Sequence, residues 1–461
     1  MGVSWLTETR EQKTILHVVV MTAFLTTFMG SALNLSIPAM EKEFGIGATM
    51  VGWIVTAYTL SVAAMSVPFG KIADAVGRRK ILILGIGIFA VMSLSCAFCT
   101  DIRILLAFRV VQGFGASMIF ATNNAILIGA YPADQRGRVL GISSASVYVG
   151  LSLGPVIGGF LNNYINWRAI FVSVAAVSLI VLIVTTKGIP QRNVGTKDVK
   201  VDVPGNFLFI LSIVLFLYGL TNLSVLRYGW MILLCGAAAG AAFVFVELRV
   251  KEPTIRVSMF SRDLVFTFSN LAALLNYGAT YAISYLMSIY LQVVMGFSSG
   301  TAGLILIVQP AVQALFSPVM GRLSDRIPPY KLASAGMGFC AAALGMLYFI
   351  SDDTPLWSIL LTLTIAGFGF ALFASPNNNA IMSCVEKEEY SVANSILATM
   401  RTVGQSSSMA AVTVVIGFTL GDTALDTAPP EDVIATMHLS FAVFFALCVL
   451  GIFLSVKRKR A

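Results

Sequence analysis

Long apolar runs constrain the fold of this chain more than any other sequence feature. A segment that crosses a lipid bilayer needs about 20 consecutive apolar residues, and fourteen such runs follow one another along the 461 residues. Only 11% of the residues are charged, which is too few to cover the surface of a soluble protein of this length. The runs are approximately 15–37, 50–69, 81–99, 104–130, 139–161, 169–187, 205–223, 229–247, 264–294, 300–320, 332–350, 357–384, 391–419 and 434–456. We therefore predict an all-α polytopic membrane protein with fourteen transmembrane helices.

The distribution of Lys and Arg residues predicts the orientation of these helices. With an even number of spans both termini lie on one side, and 24 of the 30 basic residues fall in the tails and loops on that side. The opposite loops hold four, and the remaining two, Arg109 and Arg401, lie inside spans. Because positively charged loops stay in the cytoplasm, we expect a multi-pass protein of the cell membrane with both termini cytoplasmic. This basic balance indicates topology and gives no indication of nucleic-acid binding.

Two sequence motifs occur twice. Residues 113–126 recur at 367–381, and their Gly-Phe-Gly starts are 254 residues apart. Residues 70–74 recur at 321–325, at an offset of 251. Two six-helix pseudo-symmetric bundles with a two-helix insert account for both offsets, and paired halves are the usual plan of secondary transporters; a chance match is the alternative. The predicted parts are an N-terminal bundle (1–187), a cytoplasmic linker (188–204), the insert with its following loop (205–262) and a C-terminal bundle (263–461).

The loop between the second and third spans, which runs from Gly70 to Lys80, is a candidate cytoplasmic gate. Gly70 and Gly77 allow close approach and a turn with positive φ. Asp74 can face a helix N-terminus or pair with a nearby Arg; Arg78 belongs to the same candidate gate, and Asp325 occupies the position of Asp74 in the repeat. An ordinary positive-inside loop is the alternative interpretation, which explains the basic residues but neither the glycines nor the aspartate.

A glycine stripe is the clearest packing signal inside a span. Gly150, Gly154 and Gly158 recur at every fourth position, so on a helix they form a surface without side chains against which another backbone can pack closely. Pro155 bends the axis beside this stripe, and Gly159 follows it. A tight helix crossing without special function is one interpretation, and an interface between two moving halves is the other.

The two arginines inside spans are candidate functional residues. Arg109 lies about 8 Å and Arg401 about 15 Å from the start of its span. A charged side chain within the bilayer is costly, so each is expected to have a partner or a wet cavity. Snorkelling to the membrane surface is the alternative for Arg109, and an interhelical contact without a ligand is the alternative for Arg401.

Polar side chains at helical spacing predict a substrate cavity between the spans. Amides next to tyrosine rings suit an amphipathic organic ligand. Taken singly, such stripes more often serve as interhelical contacts, which is the alternative. The candidate cavity residues are Asn34, Asn124, Asn276, Tyr277, Tyr281, Gln309, Asn378 and Arg401.

Three of these segments together resemble signature motifs of the major facilitator superfamily. They are 70–80, 109–116 and 150–159, and the run 247–253 together with fourteen spans resembles the drug:proton antiporter branch of that superfamily. The resemblance implies that Asp74 and Arg78 belong to the cytoplasmic gate. It places Arg109 in a coupling centre, for which Asp74 is the candidate acid, and the glycine stripe at the interface between the halves.

The sequence departs from that branch in its acidic residues. The branch commonly carries an acid five positions before the Asn of an Asn-x-x-x-Pro run, where this chain has Met29 before Asn34. No Asp or Glu lies clearly inside a predicted span, whereas a proton-coupled carrier needs a titratable group that is reached from both sides. Protons, if used, are therefore expected to titrate Asp74 or a group of the substrate, with Arg109 tuning the field.

The predicted function is that of a secondary active transporter, namely a multidrug or amphipathic small-molecule exporter that works by alternating access with protons as the candidate coupling ion. A carrier of an anionic or neutral metabolite or a lipid precursor, with a different or no coupling ion, is the alternative. An enzyme is not expected, because the chain offers no nucleophile–base pair, metal set or nucleotide-binding loop. We expect no cofactor and no metal, a small-molecule substrate and the lipid bilayer as partners, and a monomer. The six cysteines are expected to be packing residues.

Overall fold

Regular structure in this protein is entirely helical over the residues that the computed structural model describes, namely 9–33, 36–45, 48–190, 202–223, 228–250, 253–255, 258–386, 389–419 and 429–456. The chain divides into two compact units. Unit 1 comprises Met1–Asp202 and Val385–Ala398, and unit 2 comprises Val203–Cys384 and Thr399–Ala461. The two-helix insert thus groups with the second bundle, and a short segment after residue 384 groups with the first.

Local signals in the sequence start the helices of unit 1. Thr9 and Gln12 form a capping box at the start of α1, in which the Thr9 side chain accepts the Gln12 N–H at 3.2 Å. Asp101 caps α5 by accepting the Arg103 N–H at 2.7 Å. Gly77 precedes α4 with φ of 117°, a conformation that favours glycine. The helices are α1 (Arg10–Ser31), α2 (Ile37–Phe44), α3 (Ala48–Val76), α4 (Arg78–Ala97), α5 (Ile102–Ala130), α6 (Arg136–Tyr164) and α7 (Arg168–Gly188).

Unit 2 begins with the two helices of the insert. These two helices, α8 and α9, pack directly on one another, and the Ser212 hydroxyl donates to the Gly236 carbonyl at 3.0 Å. The penultimate helix, α17, starts in unit 1 and continues in unit 2 from Thr399. The helices are α8 (Val203–Thr221), α9 (Gly229–Glu247), α10 (Ser258–Arg262), α11 (Leu264–Thr280), α12 (Ile283–Ile289), α13 (Ser299–Leu306), α14 (Val308–Ser324), α15 (Pro329–Tyr348), α16 (Leu356–Ser383), α17 (Tyr390–Thr419) and α18 (Pro430–Val456).

The helix crossings within unit 1 recur within unit 2. Gly85 and Gly115 bring α4 and α5 together so closely that a Cβ on Gly115 would lie 2.8 Å from the Gly85 carbonyl oxygen. Gly336 and Gly369 join α15 and α16 in the same way, at 2.9 Å. The paired glycines are 251 and 254 residues apart, which are the offsets of the repeated sequence motifs. The repeat in the sequence is therefore accompanied by a repeat in the packing.

Twelve helices in the described part of the chain are long and apolar enough to cross a membrane. The predicted span 264–294 is absent from this set because the chain there divides into α11, α12 and a π-helical turn at Tyr290–Val294. The predicted span 391–419 is also absent. It is the continuous helix α17, which carries polar side chains at 405–408 and Arg401. Fourteen crossings are thus not confirmed. Of the two predicted spans that are missing, 264–294 is irregular and 391–419 is polar.

Candidate functional site

Arg109 is completely buried in unit 1 between α3, α5 and α7. Its Nε donates to the Ile54 carbonyl at 2.8 Å, and its Nη1 donates to Gln112 Oε1 at 2.5 Å. Gln112 in turn donates to the Ser93 hydroxyl on α4 at 2.7 Å. Since the side chain is 0% exposed, the alternative in which Arg109 snorkels to the surface does not describe this structure.

Neutral groups alone surround the Arg109 guanidinium in the described part of the chain. The ring of Tyr58 lies 4.5 Å and that of Phe171 5.9 Å from its central carbon, so both aromatic faces attract the cation. No carboxylate forms an ion pair with it there, and Nη2 has no hydrogen-bond partner. A charge that is buried without a carboxylate partner is costly, and charged residues within the membrane are commonly functional.

The predicted gate residues Asp74 and Arg78 are brought together where α3 ends and α4 begins. Asp74 Oδ1 accepts from Arg78 Nε at 2.8 Å, and Asp74 Oδ2 accepts the backbone N–H of Val392 at 3.3 Å. Val392 lies in the first turn of α17, whose N–H groups have no partner within the helix and carry the positive end of the helix dipole. Asp74 therefore combines both contacts that the sequence offered as alternatives, a helix N-terminus and an arginine.

Tyr390 completes this arrangement, which we call the Asp74 cluster (Asp74, Arg78, Arg136, Tyr390 and Val392). The Tyr390 ring, which is buried, lies 5.6 Å from the Arg78 guanidinium carbon and 5.9 Å from that of Arg136. Sequence reasoning missed Tyr390 and Val392, because they are more than 300 residues from Asp74 and no pattern links them to it.

The other predicted gate residues lie apart from one another. Gly70 is buried within α3, and Gly77 makes the turn before α4. Asp325 is the C-cap of α14 in unit 2. The residue at the position of Arg78 in the repeat is Pro329, so the arginine is not repeated at that position.

The glycine stripe packs α6 against α1 within unit 1. A Cβ on Gly150 would lie 2.7 Å from the Phe24 carbonyl oxygen, and one on Gly158 would overlap the Ala32 carbonyl. The Ser31 hydroxyl donates to the Gly150 carbonyl at 3.4 Å, beside Gly154. The close approach that the stripe predicts is therefore made to a neighbour in the same unit, while an interface between the halves stays a prediction. Pro155 and Gly159 lie in the same helix, α6.

Asn124, a predicted cavity residue, has both of its amide atoms engaged in unit 1. It donates to Asn394 Oδ1 at 2.8 Å and accepts from the Ser143 hydroxyl at 3.3 Å. Asn394 donates to the Phe120 carbonyl. Asn394 belongs to the first turns of α17, as Val392 does, so three hydrogen bonds hold this segment to the rest of unit 1.

The remaining predicted cavity residues are distributed over four helices of unit 2, except Asn34, which lies outside the described residues. Asn276 on α11 is fully buried, and its side chain lies against the Cys340 thiol. Gln309 on α14 is buried with its Oε1 unpartnered. Tyr277 packs near the Phe370 ring, and Tyr281 follows the end of α11 and is 45% exposed. Asn378 on α16 and Arg401 on α17 are half-buried.

A break in the predicted span 264–294 is the main irregularity of unit 2. Between α11 and α12, the N–H of Ala282 leaves the helical pattern and donates to the Ser408 hydroxyl of α17 at 3.2 Å. One turn earlier, Gly404 brings α17 against α11, since a Cβ there would lie 2.5 Å from the Leu274 carbonyl oxygen. Broken helices at membrane depth are tolerated only where their freed polar groups find partners, and Ser408 supplies one.

The opposite end of unit 1 from the Asp74 cluster carries a second charged group that the sequence did not single out. Glu43 on α2 pairs with Arg168 at 2.6 Å and accepts from Trp167 Nε1 at 2.7 Å. The hydrogen bond from Arg168 lowers the pKa of the Glu43 carboxyl below its ordinary value, although partial burial opposes this shift. These contacts tie α2 to the start of α7.

Comparison with known proteins decides the family. The profile of the Major Facilitator Superfamily matches residues 19–407 and, in an overlapping second match, 269–461. The chain belongs to the major facilitator superfamily. As a member of the superfamily it is a multi-pass membrane transporter and not an enzyme.

Relatives of this transporter with similar sequence identity are named for different substrates. The riboflavin transporter RibZ of Clostridioides difficile is 28% identical over 96% of both chains. The multidrug resistance protein Stp of Mycobacterium tuberculosis is 28% identical over 87% of this chain and 76% of its own length. The methylenomycin A resistance protein of Streptomyces coelicolor is 27% identical over 86% and 85%. The substrate is therefore not fixed by relationship.

Solved structures share the fold of this transporter. The human organic anion transporter MFSD10 superimposes with a TM-score of 0.71 at 14% identity, covering 96% of this chain and 99% of its own. The proton:xylose symporter XylE gives a TM-score of 0.64 at 13% identity, covering 97% and 95%. At these identities the likeness shows the fold alone.

Proposed function

We propose that this transporter is a secondary active exporter of small amphipathic molecules that works by alternating access, with the Asp74 cluster as its cytoplasmic gate. The observation that carries the proposal is the contact of Asp74 with the Val392 N–H. It joins a charged loop to the first turn of a helix whose remainder belongs to the other unit. A contact of that kind can be made and broken as one conformation replaces another. The names of the Stp and methylenomycin relatives support export of drug-like compounds.

The topology proposed with this function has fourteen transmembrane helices and both termini in the cytoplasm of a cell-membrane monomer. The two crossings beyond the twelve are the broken segment 264–294 and the polar helix α17. The run 247–253 supports the fourteen-helix drug:proton antiporter branch. Within this scheme the Gly150–Gly159 stripe keeps α1 and α6 together as a rigid pair at the interface between the halves.

Proton coupling is the finer part of the proposal. Asp74 is the candidate acid, and Arg109 is the candidate coupling residue, because among the described residues its buried charge is balanced by dipoles and aromatic rings alone. A negative charge close to Arg109 would stabilise its guanidinium strongly, because charges interact strongly at short range in a low dielectric. Such a charge could come from a bound anion or from a neighbouring group that loses its proton.

A carrier of a neutral or anionic metabolite is the second candidate. Gln309 and Gln313, one turn apart on α14, bury amide atoms without hydrogen-bond partners in unit 2. Buried unpartnered amides suit a ligand that is uncharged and rich in hydrogen-bonding groups. The name of RibZ supports such a ligand, while Arg401 supports an anionic one.

Transport by purified protein in proteoliposomes tests the proposal. The compounds are an ethidium-like cation, riboflavin and an organic anion, each with and without an imposed pH gradient. Asp74→Asn is expected to lower export and to raise hydrogen exchange in the first turn of α17, because the Val392 N–H loses its charged acceptor. Asp134→Asn, an exposed acid at the same end of unit 1, is the matched control and is expected to behave like the parent.

The outcomes separate the parts of the proposal. Transport that ignores the pH gradient contradicts proton coupling and leaves the gate intact. Equal export by the parent and Asp74→Asn contradicts the gate. If neither Arg109→Ala nor Arg401→Ala loses transport, the coupling role and the cavity role are both contradicted. Uptake of riboflavin alone favours the second candidate.

A further inference from the structure

Two cysteines form a Cys-x-x-Cys pair at the end of α4 that is remote from Asp74. Cys96 lies in the last turn of α4, which ends at Ala97, and Cys99 follows it. Both thiols are free and buried, with Cys99 at 4% exposure and Cys96 at 0%. Their neighbour Phe98 is 75% exposed, so the pair lies just beneath the surface of unit 1.

The backbone between these cysteines is wound more tightly than an α-helix. The Phe98 N–H donates to the Ser95 carbonyl at 3.2 Å, and the Cys99 N–H donates to the Cys96 carbonyl at 3.3 Å. In such i→i+3 turns the rise is about 2.0 Å per residue, and side chains three positions apart lie one above the other. Cα atoms three positions apart are then about 6 Å from one another, which is the usual separation in a disulfide.

Two arginines act on this pair from neighbouring helices. Arg168 donates to the Cys99 carbonyl at 3.1 Å and acts electrostatically on the Cys99 thiol. Arg109 acts in the same way on the Cys96 thiol. A nearby positive charge stabilises a thiolate, whereas burial, which is the larger effect at both sulfurs, disfavours it. The other four cysteines are at positions 235, 340, 384 and 448, far from this pair in the sequence.

We propose that Cys96 and Cys99 are a redox-active dithiol, which closes to an intramolecular disulfide by exchange with a small-molecule disulfide. The Cys99 thiolate attacks one sulfur of the oxidant and releases the first thiol. The Cys96 thiolate then attacks the Cys99 sulfur and releases the second. The pair loses two protons and two electrons, and the oxidant is reduced to two thiols that take up the protons.

Cys99 is the attacking residue because it is the more exposed of the two. Burial raises the pKa of its thiol, the Arg168 guanidinium opposes that shift, and the Asp101 carboxylate adds to it. The net shift is upward, so at neutral pH the thiol is mostly protonated. The oxidation rate therefore rises with pH towards and beyond the ordinary pKa of a thiol, about 8.5.

The disulfide would act on the Arg109 network through α4. Ser93, which accepts from Gln112, lies one turn before Cys96. A covalent bond in that last turn changes the position of Ser93 and hence the contacts of Arg109. The meeting of this pair with an oxidant in the cell rests on the proposed topology, in which it faces the outside, where disulfides persist. The chemistry itself does not rest on it.

The test uses the full-length protein in detergent, with Cys235, Cys340, Cys384 and Cys448 replaced by alanine. The protein is incubated with oxidised glutathione at alkaline and at neutral pH, unfolded, alkylated with a maleimide and weighed by mass spectrometry. The expected product has lost two hydrogens, takes up no maleimide, forms faster at alkaline pH and recovers both adducts after reduction. Cys96→Ser in the same background is expected to give a mixed disulfide with glutathione at Cys99.

Three results would overturn the proposal. They are two alkylated thiols after prolonged oxidation of protein that is still folded, glutathione on both cysteines without ring closure, and a disulfide between molecules in place of one within the chain. A detergent-free readout, transport before and after oxidation, addresses the proposed function separately. Ring closure without any transport by the parent would contradict the proposed function and leave the dithiol standing.

Discussion

The two units pack equivalent glycines in the same way, but they bury different side chains beside them, charged and polar in unit 1 and apolar in unit 2. In unit 1 a Cβ on Gly113 would lie 2.8 Å from the Tyr58 carbonyl oxygen, and in unit 2 one on Gly367 would overlap the Gln309 carbonyl. Gly113 and Gly367 are 254 residues apart, and Tyr58 and Gln309 are 251 apart. These helix crossings are therefore repeated at equivalent residues.

The side chains around that framework are not repeated. At the offsets of the repeat, Leu363 stands at the position of Arg109 and Ala366 at that of Gln112, and both are buried. Leu344 likewise stands at the position of Ser93. One unit thus carries a charged hydrogen-bonded network where the other carries an apolar core. Because the packing is maintained without the arginine, we infer that packing alone does not require it.

The largest effect is expected when this difference is removed. Arg109→Leu gives unit 1 the residue of unit 2, and it takes away a buried charge that no carboxylate of the described residues balances. We expect thermal stability to change little, because losing a buried charge, often neutral or stabilising by about 1–4 kcal/mol, is offset by Gln112, which loses its donor at a cost of about 1–3 kcal/mol. Transport is expected to fall by about tenfold or more, the factor that follows from about 1.4 kcal/mol of lost interaction in a rate-limiting step.

Thermal unfolding in detergent and proteoliposome transport measure these two quantities side by side. Arg103→Leu, on the exposed face of the same helix, is the matched control. Full transport by Arg109→Leu would show that the network is structural only, and the contrast between the units would then lose its functional meaning.

The glycine stripe provides the second-largest expected effect in the comparison of the two units. Gly158 lies on the backbone of α1, whereas the equivalent position in unit 2, 254 residues later, is Val412. Gly158→Ala is expected to destabilise the protein by about 1–3 kcal/mol, because the added methyl group overlaps a backbone carbonyl that cannot move freely.

Gly129→Ala is the control for this substitution. Nothing lies within 4 Å of a Cβ at Gly129, so alanine there should stabilise α5 by up to about 1 kcal/mol through its helix propensity. Unfolding temperatures of the two variants should therefore shift in opposite directions. Equal shifts would show that α1 and α6 adjust to the extra methyl group.

The broken helix of unit 2 gives a smaller effect. Ser408→Ala leaves the Ala282 N–H without its acceptor, and a buried unsatisfied donor costs about 1–3 kcal/mol. Hydrogen exchange at residues 281–283 is expected to rise. Ser407→Ala removes only a hydroxyl that donates back to its own helix, to the Val403 carbonyl, and should leave exchange unchanged. A matching response of both variants would indicate that the break does not depend on Ser408.

The smallest effect belongs to the charged contact of α2, at the end of unit 1 away from Asp74. The pKa of Glu43 lies below its unfolded value, so its pairing with Arg168 contributes stability above about pH 4.5 and loses it as the pH falls through the folded pKa. Because the pair is partly exposed, the contribution is below about 1 kcal/mol.

Fluorescence of Trp167, which donates to Glu43, should report this titration at acidic pH. Glu43→Gln should abolish the transition and leave the spectrum at neutral pH close to that of the low-pH parent. A transition that persists in Glu43→Gln would assign it to another group.

Sequence reasoning assigned Asp74 and Arg78 to one gate because their spacing is local, and it left Arg109 between a buried position with a partner and snorkelling to the surface. It missed Val392, Tyr390, Asn394 and Glu43, whose importance comes from partners far away in the chain. It also expected one regular helix across 264–294, since apolar periodicity alone carries no sign of a break that a serine of another helix satisfies.

The sequence by itself determined that this protein is a multi-pass helical transporter with a repeated plan, because span length, charge bias and glycine spacing are properties of short segments. Only the tertiary structure decided that Arg109 is satisfied by a carbonyl and an amide, that Asp74 reaches the N-terminus of α17, and that the glycine stripe packs on α1. Those contacts join residues separated by tens to hundreds of positions. Their geometry depends on how whole helices pack, and no local pattern encodes that packing.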